Sequence, residues 1–147
     1  MSVSSCVEEY FHSDDWKYEE LSEGVYRSGI RTNEGTYRII HHAKDEDQRL
    51  IVMVFVESCV AERSRQSALE YLMRATYNMV LGNFEMDMDD GEVRFRISAD
   101  FNHGGLSAEA IAHMTYVAIA MMDRHYLGLM GVCFGGKTPE EAIAEIE

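Results

Sequence analysis

The sequence predicts an α+β fold, an antiparallel sheet packed by helices in the order α-β-β-β-β-α-β-β-α-α. Three observations carry this reading. Asn78 to Phe101 holds two alternating runs on either side of Asp90-Gly91, a dipeptide suited to a tight hairpin because both residues tolerate positive φ. Leu50 to Val56 reads Leu-Ile-Val-Met-Val-Phe-Val, apolar throughout, which is the pattern of a central strand. Ala61 to Leu81, and a second stretch from Ser107 to about Phe134, repeat apolar residues at spacings of three and four, the period of a packed helix.

In chain order, Ser4 or Ser5 can cap a short first helix. Val7, Tyr10 and Phe11 give it one apolar side, Glu8 and Glu9 lie near its start, and Ser13-Asp14-Asp15 ends it. Trp16 to Leu21 and Val25 to Thr32 are strands around Ser22-Glu23-Gly24. Asn33-Glu34-Gly35 leads to a strand from Thr36 to His42, and Ala43 to Gln48 is a turn. The strand Leu50 to Val56 is apolar on both faces. Helices on one face of the sheet would leave its other face wet, so another polypeptide is expected to cover it. In the helix Ala61 to Leu81 the apolar side runs through Ala68, Leu72, Met73, Met79 and Val80, and Gly82 stops it.

In the hairpin, a two-residue loop at Asp90-Gly91 sets Met88 against Val93, Met86 against Phe95 and Phe84 against Ile97. On the other side Asp87 then faces Arg94 and Glu85 faces Arg96. Ser107 caps the long helix, whose apolar positions are broad enough to bury it against two surfaces. Thr138-Pro139-Glu140-Glu141 is a capping box with proline at the first helical position, and it opens the last helix.

A chain of 147 residues is the size of one domain, residues 1–147. Its 26 acidic residues outnumber 13 basic ones, for a formal net charge of −13. That balance opposes binding to nucleic acid or to an anionic membrane, both of which need a basic footprint. Cys6, Cys59 and Cys133 are odd in number and widely spaced, as free buried thiols of a reducing compartment would be. The opening residues show neither the basic nor the apolar run of a leader. The longest apolar stretch, Met114 to Met122, is interrupted by Asp123-Arg124-His125. The expectation is a cytoplasmic protein that makes no membrane contact.

The chemical motifs fail on context. Gly131 to Thr138 matches G-x-x-x-x-G-K-[ST], but helix precedes it, Pro-Glu-Glu follows it, and too little chain remains for a βαβ unit. Asp87-Met88-Asp89-Asp90 opens like a calcium loop, yet Gly91, Glu92 and Ser98 stand where that loop needs an acid, a glycine and a glutamate. His41 and His42 point to opposite faces of one strand, and His113 and His125 lie three turns apart on one helix, about 18 Å along the axis. Neither pair can share a metal. Cys59 and Cys133 sit among apolar residues, which raise a thiol pKa, and no serine has a triad setting. No catalytic, cofactor-binding or metal-ligating residue is therefore assigned, and no cofactor is expected.

With the elements placed, the chain resembles the YbjN family, described as bacterial sensory transduction regulators. The resemblance rests on Ala68 to Asn78, Leu81-Gly82-Asn83-Phe84-Glu85-Met86-Asp87, Asp90 to Arg96, Met122-Asp123-Arg124-His125-Tyr126, and Gly135 with Thr138 to Ile143. It implies a fold similar to type III secretion chaperones, commonly dimeric proteins that bind extended segments of other proteins without catalysis. It also explains Gly135 to Ile143 without a nucleotide. The expected function is a non-enzymatic, homodimeric protein-binding module, chaperone-like or regulatory, with a protein partner. Phe55, Met121, Met122 and Tyr126 are the candidate partner or dimer contacts, although Phe55 also fits plain core. The alternative is a small-ligand protein or enzyme with a pocket around His103, His113 or His125.

Overall fold

The computed structural model describes residues 1–147. Helix α1 (Val3–Ser13) opens the chain, capped by Ser2, whose side chain accepts from the Ser5 amide. Four strands follow: β1 (Glu19–Ser22), β2 (Val25–Arg31), β3 (Thr36–Lys44) and β4 (Arg49–Val56). Then come α2 (Arg65–Thr76), β5 (Asn83–Met86), β6 (Val93–Asp100), α3 (Ala108–Phe134) and α4 (Pro139–Ala144). The element order is the one the sequence predicts. The strands form one antiparallel sheet in the order β1-β2-β3-β4-β6-β5, with the all-apolar β4 in the interior between β3 and β6.

Each strand sends alternate side chains to each face. Tyr37, Ile39 and His41 of β3, Leu50, Val52 and Val54 of β4, and Val93, Phe95 and Ile97 of β6 are buried beneath the helices. Helix α3 lies over β4 and β6 with α1 and α2 against it, and α4 closes the α2–α3 seam. Burial of the aliphatic and phenylalanine side chains among them, about 1.5–3 kcal/mol each, is the main driving force for the layer. By length and composition alone α3 could cross a membrane. Here it packs Ile111, Met114, Ala118, Met122, Leu129 and Val132 into the core. Its outer face stays uncovered, with Tyr116 70%, Leu127 60% and Phe134 71% exposed, so α3 is buried on the sheet side and flanks rather than all round.

The segment Met122 to Tyr126 fastens α3 to its neighbours. Met122 is in the core, and Asp123 accepts from Tyr37 Oη at 2.6 Å and from Thr32 Oγ1 at 2.7 Å. Arg124 donates to the Ile146 carbonyl, and Tyr126 stands edge-on to Tyr37 at 5.5 Å. The last helix has the predicted capping box, with Thr138 and Glu141 each accepting from the other's amide. Residues Gly131 to Phe134 are helical, so the phosphate-loop match is a helix end followed by a capped helix.

The expectations for α2 and the hairpin need correction, and the cap of α1 is Ser2 rather than Ser4 or Ser5. Helix α2 stops at Thr76, not Leu81. Tyr77 leaves the helical region, Asn78 turns left-handed at φ 72°, and the Thr76 hydroxyl accepts from the Phe84 amide. Val80 is consequently 93% exposed rather than part of a buried side, and Met73 is exposed as well. The hairpin register is shifted by two residues: Met86 faces Val93, Phe84 faces Phe95 and Glu85 faces Arg94. A shift of two keeps every side chain on its predicted face.

The shift arises because residues 87–92 form a wider loop that docks on the rest of the chain. Within it, Asp87 and Asp90 accept from the Asp89 and Glu92 amides. Gly91 accepts from the Val60 amide at 2.8 Å, and Arg65 reaches the carbonyls of Met88 and Asp89.

Candidate functional site

All the helices pack on one face of the sheet. The other face is built by the alternate residues of β1 to β6, and no element covers it. Two of its cross-strand rows follow from the register. One runs Glu19, Arg27, Ile40, Met53, Arg96 and Asn83; the next runs Gly29, Arg38, Phe55, Arg94 and Glu85. Beside the first lie His42, Ile51 and Ser98. An aliphatic strip of Ile40, Ile51 and Met53, each half-buried, is thus framed by arginines.

The charge on this face departs from the rest of the molecule. Arg27, Arg31, Arg38, Lys44, Arg49, Arg94 and Arg96 all lie on it, seven of the chain's 13 basic residues, in a protein of net charge −13. Five of these are paired with carboxylates on the same face: Arg27 with Glu19 at 2.9 Å, Arg38 with Glu92 at 3.2 Å, Arg49 with Asp100 at 3.3 Å, and Arg94 and Arg96 with Glu85 at 2.7 and 3.6 Å. The result is a lattice of alternating sign around a greasy strip. Exposed pairs of this kind add little to stability, at most about 1 kcal/mol each. They set the polarity of the surface. A bare basic footprint for nucleic acid is not what they make, since most of the arginines already hold an acid.

The candidate contacts fall apart on this geometry. Phe55 is on the open face but only 5% exposed, because the Arg38 guanidinium lies 4.4 Å over its ring and that of Arg94 6.0 Å away. Met122 is wholly inside the helical core and offers no surface, while Met121 and Tyr126 are half-buried on the helical side. The structure therefore does not bring the four together. The apolar side chains that do lie together on the open face are Ile40, Ile51 and Met53. The doubly apolar pattern of Leu50 to Val56 already marked two of them, and Ile40 needed the β3–β4 register.

The histidines are likewise dispersed. His103 is in an exposed loop and His113 is exposed on the outside of α3. His125 is buried against Tyr71 and Phe84, and burial, aided by the Arg124 charge, pushes its pKa down to about 4. His41 is fully buried, and burial pushes its pKa down to about 3. Its Nε2 is 2.8 Å from Thr115 Oγ1, whose proton goes to the Ile111 carbonyl. The imidazole must therefore carry its proton on Nε2, leaving Nδ1 as a buried acceptor without a partner. All three cysteines are free. Cys6 is buried and Cys133 half-buried, and burial raises both thiols; Cys59, expected inside, is exposed after β4.

Comparison with known proteins places this geometry in a group. The model of the YbjN family, described as "Putative bacterial sensory transduction regulator", matches residues 5–129. No curated protein matches the sequence. Among solved structures, a chain of the HopA1–SchA chaperone–effector complex is similar over 82% of this chain and 88% of its own, at 13% identity and a TM-score of 0.55. The crystal structure of YbjN from E. coli is similar over 81% of this chain and 84% of its own, at 7% identity and a TM-score of 0.58. At such identities the likeness is one of fold: an α+β domain with an antiparallel sheet packed by helices, as in a chaperone complex.

Proposed function

The chain belongs to the YbjN family, and from that premise we propose that it is a non-enzymatic protein-binding module, chaperone-like or regulatory, that works in the cytoplasm as a homodimer. The observation that carries the reading is the uncovered face of β4. Ile51 and Met53 stand partly exposed at the centre of the sheet, with Ile40 beside them and no element of the chain above. An apolar strip held at the middle of a rigid sheet and ringed by polar groups is the anatomy of a protein interface.

The alternating lattice favours a second copy as its occupant. Across a twofold axis the same patch meets itself, so a surface carrying both signs in rows can set each arginine against the partner's carboxylate. The family and the fold likeness to a chaperone–effector complex support a further protein partner, bound by the dimer.

Sedimentation equilibrium at tens of micromolar tests this. The expected mass is twice the chain's 16.8 kDa. Met53→Asp is expected to return it to the single-chain mass with an unchanged circular dichroism spectrum, because Met53 is only half-buried and its loss leaves the helical core intact. A native protein that stays monomeric, or a Met53→Asp variant that stays dimeric, rejects the open face as the dimer surface.

A further inference from the structure

We propose that the groove between the C-terminal end of α1 and the first half of α3 binds a small organic ammonium ion. This groove is on the helical side, opposite the open face, so it stands independently of the homodimer.

The cavity has a volume of about 380 Å³. Tyr10, Trp16 and Tyr116 supply aromatic walls, Ala112 and Ile119 an aliphatic one, and Asp14 a carboxylate. The rings of Tyr10 and Trp16 meet at a corner, with centroids 6.2 Å apart and planes at 47°. A second carboxylate, Glu109, lines the groove from α3, and no Lys or Arg does.

The side-chain hydrogen bonds bear on what kind of ligand fits, because almost every side-chain donor in the groove is already spent on the chain. Trp16 Nε1 donates to Asp14 Oδ2 at 2.9 Å. The Ser13 hydroxyl donates to the Tyr10 carbonyl at 3.0 Å. The Thr115 hydroxyl, fully buried at the floor, donates to the Ile111 carbonyl at 2.8 Å. Tyr10 Oη points its proton to Asp14 Oδ2 at 3.5 Å. Among the side chains only the Tyr116 hydroxyl, 70% exposed, is an uncommitted donor.

What remains is π surface and carboxylate oxygen, with Asp14 Oδ1 taking no bond from the protein. An anion meets the carboxylates of Asp14 and Glu109 and no Lys or Arg. A cation that carries alkyl groups meets aromatic faces, a fixed carboxylate and a molecule of net charge −13.

Trp16 is the chain's single tryptophan, so its emission reports on this groove alone. Choline is the probe, and the uncharged tert-butyl analogue of choline is the control, both at constant ionic strength. Choline is expected to give a saturable change in Trp16 emission, with the neutral analogue about tenfold weaker, as a cation–π and carboxylate contribution requires. Asp14→Asn is expected to weaken choline about fivefold while the circular dichroism spectrum stays the same, and Glu109→Gln to weaken it less. An equal response to choline and its neutral analogue would show an apolar groove without charge preference. That result, the absence of any saturable response, or an unchanged affinity in the folded Asp14→Asn variant would each overturn the proposal.

Discussion

Lowering the pH from 6.5 to 4 is expected to remove about 5 kcal/mol of folding stability, through two histidines. His41 and His125 both keep their neutral form in the fold, with pKa values pushed down to about 3 and about 4 by burial. In the unfolded chain both protonate near pH 6.5. Between pH 6.5 and about 4 the unfolded state therefore binds up to two protons that the folded state does not. Stability is fully present above pH 6.5 and is lost as the pH falls, by at most about 1.4 kcal/mol per unit and group.

Surroundings explain why neither histidine can accept the charge. His41 sits among Phe11, Tyr10 and Thr115, its Nε2–H committed to the Thr115 hydroxyl and its Nδ1 facing no donor or carboxylate. His125 lies between Tyr71 and Phe84 with Arg124 as its neighbour in sequence. Urea unfolding at several pH values between 4 and 7 measures the slope. His41→Leu keeps the volume and removes one titrating group, so it should roughly halve the slope. A native stability that is flat across this window, or a slope unaffected by His41→Leu, contradicts the assignment.

Gly91→Ala is expected to cost about 2–4 kcal/mol, well beyond an ordinary loop substitution. Gly91 has φ +82°, where an alanine costs about 1–2 kcal/mol on backbone grounds. Its Cβ would also overlap the Val60 carbonyl oxygen and stand 2.9 Å from the Val60 nitrogen, on the contact that docks the hairpin tip. Gly136→Ala separates the two causes. It has a similar φ of +69° with nothing within 4 Å of the added carbon, so it should lose only the backbone part. Denaturant midpoints of the three proteins decide it. Equal losses at both positions would mean that the docking of residues 87–92 against Val60 contributes nothing.

Gly91 also shows where reading from sequence stops. The alternation of Phe84 to Val93 and the faces of its strands follow from period alone, and they are as expected. Loop length does not, because it depends on Val60 and Arg65, which meet the tip from elsewhere in the chain. The end of α2 is a similar case. Apolar residues at helical spacing continue through Met79 and Val80, but the Thr76 hydroxyl takes the Phe84 amide and turns the chain into β5.

For the open face, the run Leu50 to Val56 carried the central fact, a strand apolar on both sides. The arginine frame was not visible, since Arg27, Arg38 and Arg94 come together only through the strand order. His41 was placed correctly as facing away from His42, yet its partner Thr115 lies 74 residues away on α3. The α1–α3 groove joins Trp16 to Tyr116 and has no local signal at all.

Methionine oxidation, followed by peptide mass spectrometry at increasing protein concentration, tests the binding role of the open face most directly. Met53 lies at the centre of that face, while Met73 and Met88 are exposed elsewhere and serve as internal controls. Protection of Met53 that grows from nanomolar to tens of micromolar protein, with Met73 and Met88 oxidised at a constant rate, is the predicted result. A Met53 that oxidises equally fast at every concentration would contradict a second polypeptide lying on the sheet.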